Sequence, residues 1–481
     1  MTSLLHHFQL NPNPYHTMSL LLLLFLIFSF SIYRTNGTYF RSLGVNFGTL
    51  GNDLPSSSVS VSRIRHLRAG GVKIYDANPD TLRALSGVRI PVAIMLPNQL
   101  ISAVSSNQSA ADSWLASSLL PFYPKTRIRF LLVGNEVLSD PSTKATWPHI
   151  VPAMTRLHAS LRSHSITKVK VGTTLAMDTV RNISITPPSA AEFRPDIAGP
   201  VMKPLLDFLN RTRSYYFVDA YPYFPWASDP TRISLDYCLF RGNSSTNYLD
   251  PVSKLTYTNL LDQQLDSVVF AMERLGFASV KLAVAETGWP NGGDYDQIGA
   301  NIHNAATYNR NLAKRMRARP PLGTPARPGT YIPVFVFALY NENMKGGPGT
   351  ERHWGLLYPN GTRMYDVDLT GERTEYAPLP LPTNNEPHRG KIWCVLGNLT
   401  ADATAVGDAV SYACGAGKGT CDEIQQGRDC YEPNNLIAHA NYAFNSYWQQ
   451  FRSSGGTCYF NGLAVQTLKD PSHGSCKFVA N

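Results

Sequence analysis

The sequence predicts a (β/α)8 barrel, a TIM barrel of the α/β class, followed by a small disulfide-stapled C-terminal module. Short apolar runs alternate with helical patterns through most of the chain, which is typical of barrels and doubly wound folds. Six of the seven cysteines follow Trp393, and a proline-rich stretch precedes them. With 481 residues, 43% of them hydrophobic, the chain is long enough for more than one buried core.

Eight apolar runs are the candidate strands of the barrel. Parallel strands that are buried on both faces read as near-continuous apolar runs. The runs are Leu43–Phe47, Val72–Asp76, Val92–Leu96, Ile128–Val133, Val169–Thr173, Tyr216–Ala220, Lys281–Ala285 and Pro333–Leu339. Their number matches a (β/α)8 barrel. An open doubly wound sheet is the alternative, but no GxGxxG motif follows the first run.

Two carboxylates stand where a barrel places its working residues, at the C-terminal ends of strands. Glu136 follows the fourth run and Glu286 follows the seventh. Either one alone is typical of a helix cap or an ion pair, whereas two that face each other across a barrel mouth suit glycoside hydrolysis. One carboxyl must be protonated to release the leaving oxygen, and the other must be ionised. Mutual repulsion and unequal burial separate their pKa values.

Aromatic residues at the same strand ends offer flat faces to sugar rings, although packing at the barrel rim is an equal alternative for each. They are Tyr75, Tyr221, Phe224 and Trp289. No HExxH pattern or spaced histidine cluster is present, so we expect no metal and no cofactor. The absence of GxSxG and P-loop motifs disfavours esterases and NTPases.

Several features predict export. The apolar run Met18–Ile32 is shorter than the about 20 residues of a membrane span and suits a signal peptide, with a signal anchor as the alternative. The chain ends at Asn481 without the hydrophobic tail of a lipid-anchor signal. Sequons begin at Asn36, Asn107, Asn182, Asn210, Asn243, Asn360 and Asn398. We therefore expect a secreted, extracellular or cell-wall protein without a permanent membrane anchor.

The net charge is +9, from 43 basic and 34 acidic residues. The densest basic run, Lys314–Arg319, reads as the end of a helix, where cations are favourable. Because the other basic residues are scattered, we expect no nucleic-acid partner. We expect a monomer.

Four segments follow from these patterns: a signal peptide over residues 1–36, a barrel over 40–371, a linker over 372–390 and a module over 391–481. Four prolines between Tyr376 and Gly390 indicate a semi-rigid extended linker. The cysteine density of the module indicates disulfides formed in an oxidising compartment. Zinc is the alternative, but the spacings lack a CxxC pair.

From Leu43 to Asp368 the chain resembles plant endo-β-1,3-glucanases of glycoside hydrolase family 17. The resemblance rests on Gly44-Val-Asn-Phe-Gly48, Val72-Lys-Ile-Tyr-Asp76, Val133-Gly-Asn-Glu136, Ala285-Glu-Thr-Gly-Trp-Pro290 and Phe337-Ala-Leu-Tyr-Asn-Glu-Asn343, in the family's order. It implies a barrel with a long glucan groove and cleavage that retains anomeric configuration. By motif, Glu136 would be the proton donor, next to Asn135 in the substrate site, and Glu286 the nucleophile. The auxiliary charged residues would be Glu342, Lys345 and Glu351.

The tail resembles the X8 domain, or carbohydrate-binding module family 43, through Trp393-Cys394-Val395, Ala440-Asn-Tyr-Ala-Phe-Asn445 and the six cysteines. The resemblance implies binding to β-1,3-glucan. It also implies the disulfides Cys394–Cys458, Cys414–Cys421 and Cys430–Cys476. Candidate stacking residues are Tyr442, Phe444, Tyr447 and Trp448, of which Phe444 and Trp448 are four apart and favour the core instead.

The chain departs from the family pattern at three places. Thr287 stands where many relatives have Ser. The proline-rich segment Arg319–Gly329 precedes the eighth run, and we expect it to reshape one rim of the groove. Cys238 has no evident partner and reads as a buried free thiol. Transglycosylation, cleavage of mixed-linkage β-1,3-1,4-glucan and a catalytically weak glucan-binding wall protein stay open as alternative functions.

Overall fold

The computed structural model describes Phe40, residues 42–181 and residues 187–480. The predicted signal peptide and the sequons at Asn36 and Asn182 lie outside the described residues. Over the ranges just given, no helix combines the length and the apolar character needed to cross a membrane.

Eight parallel strands close into a barrel, which confirms the predicted fold class. They are β1 (Gly44–Phe47), β2 (Val72–Ile74), β3 (Val92–Leu96), β4 (Ile128–Asn135), β5 (Lys170–Ala176), β6 (Tyr215–Asp219), β7 (Lys281–Thr287) and β8 (Val334–Val336). Each strand pairs with the next along the chain. The pairs Gly44↔Phe335 and Val45↔Val336 join β1 to β8 and close the barrel.

Aromatic rings fill the barrel interior near the strand starts. Phe40, which precedes β1, packs edge-on against Phe335 of β8 at 5.0 Å and lies 6.2 Å from Phe130 of β4. Phe130 in turn contacts Phe217 of β6 at 5.2 Å. Every residue of β1, β2, β3, β6 and β8 is buried. This packed floor leaves the opposite end, where the strands finish, as the open mouth.

Helices surround the barrel and also build the C-terminal module. In the barrel they are α1 (Ser57–His66), α2 (Pro79–Ala84), α3 (Ile101–Ser106), α4 (Gln108–Ser118), α5 (Ile150–Ser163), α6 (Pro195–Ile197), α7 (Lys203–Thr212), α8 (Tyr223–Ser228), α9 (Leu235–Cys238), α10 (Leu260–Arg274) and α11 (Ile302–Arg317). The module contains α12 (Ala403–Ala416), α13 (Leu436–Phe451) and the antiparallel strands β9 (Trp393–Leu396) and β10 (Ala464–Thr467). The basic run Lys314–Arg319 lies at the end of α11, as predicted.

The proline-rich segment Arg319–Gly329 does not reach the groove, so the expectation that it reshapes the rim is wrong. It forms a ribbon in which Gly323–Thr324 pairs with Arg327–Pro328. The Arg327 guanidinium donates to the carbonyls of Val280 (2.5 Å) and Ala278 (2.6 Å), just before β7 begins. A connection from a helix back to a strand lies at the floor of a barrel, because the helices run antiparallel to the strands.

The module has its own core, and the structure contains the three disulfides that the resemblance implies, Cys394–Cys458, Cys414–Cys421 and Cys430–Cys476. Phe444, fully buried, stacks on Phe460 with ring centroids 4.2 Å apart. Trp448 and Tyr442 are buried as well, so these three candidate stacking residues belong to the core. In the barrel, Cys238 is a buried free thiol, as predicted.

Candidate active site

Glu136 sits at a tight turn at the end of β4. Gly134 has φ +76°, and Glu136 itself has φ +49°, a left-handed conformation that costs energy for a residue with a Cβ atom. The Asn98 side chain holds the turn: its Oδ1 accepts from the Asn135 N–H (2.7 Å) and its amide donates to the Asn135 carbonyl (3.0 Å). The turn brings the Glu136 carboxyl to the barrel cavity.

Glu286 comes from β7 and is held by three donors. The Lys73 ammonium and the Tyr75 hydroxyl both donate to Oε1 at 2.5 Å, and the Tyr221 hydroxyl donates to Oε2 at 2.6 Å. Lys73 is completely buried. Charge-assisted bonds to both oxygens fix the carboxylate and favour its ionised form.

The two carboxyl groups are pushed apart in pKa. Burial, reinforced by the negative charge of Glu286, raises the pKa of Glu136 from its ordinary value to about 7. Burial also acts to raise the pKa of Glu286, but the Lys73 cation and the three hydrogen bonds outweigh it, so that pKa is lowered. At mildly acidic pH one carboxyl therefore keeps its proton while the other is ionised.

Both carboxyls line one cavity of about 570 Å³ at the barrel mouth. Eight of the sequence-predicted residues line it: Tyr75, Asn135, Glu136, Tyr221, Phe224, Glu286, Lys345 and Glu351. A volume of this size is typical of small-molecule sites. The structure thus brings the predicted acid pair and most of its predicted surroundings into one place.

Trp289 is the predicted aromatic that the structure does not bring to the groove. It is fully buried, and its indole N–H donates to the Gly299 carbonyl at 2.8 Å. Its ring packs between Tyr223 and Trp226, with centroids 5.3 and 5.4 Å away. Rim packing, the alternative considered for this residue, is therefore the role that its surroundings show.

Trp354, which the sequence did not single out, supplies an aromatic wall of the cavity instead. It packs against Tyr221 at 4.9 Å and Phe224 at 5.9 Å, and Phe224 is 46% exposed. Trp354 follows the Glu351 segment in the loop after β8, well beyond any predicted strand end. An apolar residue in a loop gives no pattern by which to find it.

Of the three auxiliary charged residues, Lys345 and Glu351 line the cavity, and Glu342 lies outside its lining. Glu342 is buried beside the cavity, accepts from the Leu50 N–H at 2.8 Å, and lies 3.8 Å from the Lys345 ammonium. A Cβ atom on Gly48 would collide with the Glu342 carboxylate, so a larger residue there would displace that carboxylate. Burial raises the pKa of both Glu342 and Glu351.

Asp219 is a further carboxyl in the cavity, one that the sequence patterns did not indicate. It ends β6, directly opposite Glu286 in the strand register. Its side chain is buried, no described N–H or hydroxyl group donates to either oxygen, and it lies beside the Glu136 carboxyl, which contributes to raising its pKa. Burial, reinforced by Glu286, raises its pKa well above the ordinary value. Lys73 was missed as well, although a lysine inside an apolar run was a usable signal.

Over the described part of the chain, no three His, Cys, Asp or Glu side chains are arranged to hold a metal ion.

Comparisons with known proteins agree with this geometry. The sequence profile of glycosyl hydrolases family 17 matches residues 43–369, and that of the X8 domain matches residues 392–465. The chain is 52% identical to the probable glucan endo-1,3-β-glucosidase A6 of Arabidopsis thaliana, over 91% of this chain and 90% of that protein. It is 37% identical to the glucan endo-1,3-β-glucosidase 13 of the same plant, over 94% and 88% of the two chains.

Among solved structures, the barrel is similar to CJP38, a β-1,3-glucanase and allergen of Cryptomeria japonica pollen. The TM-score is 0.64 and the sequence identity 37%, covering 68% of this chain and 99% of that one.

Proposed function

The chain belongs to glycosyl hydrolases family 17, and on this premise we propose that it cleaves internal β-1,3-glucosidic bonds of callose-type β-1,3-glucan. The observation that carries the proposal is the acid pair: Glu136 and Glu286 share one cavity and have pKa values displaced in opposite directions. Its relatives named as glucan endo-1,3-β-glucosidases support the choice of substrate. Glu136 acts as the proton donor and Glu286 as the nucleophile.

In the first step Glu136 gives its proton to the glycosidic oxygen while a Glu286 oxygen attacks the anomeric carbon. The bond from that carbon to the leaving oxygen breaks, and a covalent glucosyl ester of Glu286 forms. Attack is possible because Glu286 is ionised. The donors Lys73, Tyr75 and Tyr221 keep it so and fix its direction.

In the second step Glu136, now a carboxylate, takes a proton from water as the water oxygen attacks the anomeric carbon. Glu286 leaves with its charge restored, and the same three donors stabilise that charge. Two displacements at one carbon return the original anomeric configuration, and both carboxyls regain their starting protonation states. The product therefore retains its configuration.

The cavity wall supplies the surfaces that hold a sugar chain. Phe224 offers an exposed aromatic face, and the buried Trp354 ring packs against it in the cavity wall. The Oδ1 atom of Asn135 is engaged by Thr174 at 2.9 Å and Lys73 at 3.4 Å, which leaves its NH2 group for a sugar hydroxyl.

In the C-terminal module, Tyr412 and Tyr447 are the aromatic pair that we assign to glucan binding. Tyr412 is 59% exposed, its ring lies 5.5 Å from that of Tyr447, and the two hydroxyls are 3.2 Å apart. An exposed ring that is braced by a second, half-buried ring suits stacking against sugars. Tyr447 is the one residue of the predicted stacking set that takes part.

Export to the cell wall completes the proposal. Three disulfides fit an oxidising compartment. The sequon asparagines within the described residues are exposed: Asn107, Asn210, Asn243, Asn360 and Asn398.

Product analysis tests the function. Purified protein lacking residues 1–36 is offered laminarin, mixed-linkage glucan and cellulose in parallel. We expect short β-1,3-oligomers from laminarin alone. Products longer than the substrate would show glucosyl transfer instead, and retention on glucan without any product would contradict the proposal.

A further inference from the structure

The barrel domain ends at the floor, on the side away from the catalytic cavity. The Leu43 N–H, just before β1, donates to the Leu369 carbonyl at 3.0 Å. A Cβ atom on Gly371 would lie 2.3 Å from the Ala313 carbonyl oxygen, so the chain passes against the C-terminal half of α11. That half of the helix lies near the floor, because α11 runs antiparallel to the strands.

From the floor, the linker runs along α11 toward the barrel mouth. The Arg310 guanidinium stacks on the Tyr376 ring at 4.1 Å, and the His303 Nδ1 atom lies 3.1 Å from the Pro380 carbonyl oxygen. Successive linker residues thus meet successively earlier residues of the helix. The helix has 16 residues, about 24 Å at 1.5 Å per residue.

A cluster of asparagines fastens the linker at the N-terminus of α11. The Asn301 amide donates to Asn384 Oδ1 at 2.7 Å, and the Asn304 amide donates to Asn385 Oδ1 at 2.7 Å. The Gly299 N–H donates to the Asn384 carbonyl at 2.6 Å. This segment follows β7, the strand that carries Glu286, and so the linker arrives at the catalytic end of the barrel.

The module then contacts the loops at the mouth. Asp296, in the loop after β7, accepts a hydrogen bond from Gln466 at 2.9 Å and lies 3.8 Å from the Arg452 guanidinium. The Arg352 guanidinium stacks on the Tyr459 ring at 4.1 Å. Arg352 directly follows Glu351, which lines the catalytic cavity.

These contacts are individually weak, since exposed ion pairs contribute about 0–1 kcal/mol. Because the linker is held along α11, the module stays close to the mouth loops at a high effective concentration. Weak contacts between the module and these loops are then enough to keep it docked. A free linker of the same length would leave the module able to sample many positions.

We propose that the linker is a strap along α11 that docks the module at the catalytic mouth, so that one long β-1,3-glucan chain occupies the groove and the module together. The proposal rests on the proposed function and adds a fixed geometry to it. Docking raises activity on long or insoluble glucan, and it adds nothing for an oligomer that the groove alone can hold.

Reversing the charge of Asp296 tests whether the module is docked at the mouth. In Asp296→Arg, the new cation faces Arg452 and repels the module. We expect kcat/KM on short soluble laminari-oligomers to stay within about twofold of wild type, and activity on insoluble β-1,3-glucan to fall on the order of tenfold. Binding to that glucan should fall much less than activity, because the module's own glucan-binding surface is intact. The double variant Asp296→Arg/Arg452→Asp should restore activity on the insoluble polymer.

Asp207→Arg is the matched control, since Asp207 forms an exposed ion pair with Arg211 on α7 at 2.9 Å. It should change neither activity. A second variant inserts a flexible Gly-Ser segment after Arg389 and should reproduce the loss of Asp296→Arg without altering any contact residue.

Wild-type activity on insoluble glucan in both Asp296→Arg and the insertion variant would overturn the proposal. So would a loss of activity that is matched by an equal loss of binding. Failure of the wild type to cleave short laminari-oligomers would instead contradict the proposed function, and the two failures are therefore distinguishable.

Discussion

The chemical difference between Glu136 and Glu286 comes from their immediate partners. Three donors reach the oxygens of Glu286, and one of them is the buried Lys73 ammonium. Glu136 is held by its backbone turn and is raised in pKa by burial and by the charge of Glu286. Two identical side chains thus have opposite protonation states, as acid and nucleophile require.

The raised pKa of Glu136 predicts the alkaline side of the pH profile. The acid must be protonated in the free enzyme, so kcat/KM should be full below about pH 7 and decline as pH rises through that value. On the acidic side it should decline only where Glu286 becomes protonated, below the ordinary glutamate pKa. Initial rates on soluble laminarin across this range check both limbs. An alkaline limb well above pH 8 would contradict the assignment.

Removal of one donor to Glu286 should move the acidic limb. In Tyr221→Phe the ring and its packing on Trp354 are kept, but the 2.6 Å hydrogen bond is lost. Because that bond stabilises the ionised carboxylate, the pKa of Glu286 should rise, and the acidic limb should shift upward by about one pH unit.

Tyr223→Phe is the matched control, since Tyr223 packs in the same aromatic wall and forms no hydrogen bond with Glu286. It should leave the acidic limb in place. Equal shifts in both variants would show that general disturbance of the wall is the cause.

At the scale of the elements, the strands were predictable because burial on both faces leaves a continuous apolar run. β3 has the predicted bounds, and the other seven strands overlap their predicted runs. The acid pair was predictable for the same reason, since a strand end locates the barrel mouth. The burial of Trp289 outside the groove was not predictable, because the position of a strand end does not determine whether the next side chain points into the barrel mouth or toward the helices.

The aromatic and acidic residues that complete the site were also beyond the sequence patterns. Trp354 lies in the loop after β8, and the sequence of a loop has no periodicity from which its path could be predicted. Asp219 ends β6 but stands inside the predicted run Tyr216–Ala220, and a polar residue within such a run does not mark a strand end. The proline-rich segment lies at the floor because it connects a helix to the following strand, and its composition alone does not indicate that position.

The contact between Gly371 and α11 predicts a difference between two glycines. Gly371 has φ +67°, and a Cβ atom would meet the Ala313 carbonyl at 2.3 Å. Gly276 has φ +87° but open space around the Cβ position. Gly276→Ala should lower the free energy of unfolding by about 1 kcal/mol through backbone strain alone.

Gly371→Ala should cost a further 1–3 kcal/mol or so, because the clash is added to the strain. Urea denaturation of both variants measures the difference. Equal destabilisation would mean that the end of the barrel domain at Gly371 does not approach α11 as closely as described.

For the whole molecule, the proposed glucan-binding surface of the module depends on a small exposed aromatic area, of which Tyr412 is the most exposed part. Tyr412→Ala should weaken retention on insoluble β-1,3-glucan on the order of tenfold, about 1.4 kcal/mol, while turnover of short soluble oligomers persists. Leu399→Ala is the control, because Leu399 is a similarly exposed apolar residue of the module, at 67%. Equal weakening by the two changes would indicate non-specific adsorption.

The central claim is that Glu286 forms a covalent glucosyl ester and Glu136 serves in turn as acid and base. The most direct test is proton NMR of the first oligomers released from laminarin, before mutarotation equilibrates their new reducing ends. We predict that these reducing ends appear first as the β-anomer. Initial release of the α-anomer would mean a single displacement by water, and it would contradict the assignment of Glu286 as the nucleophile.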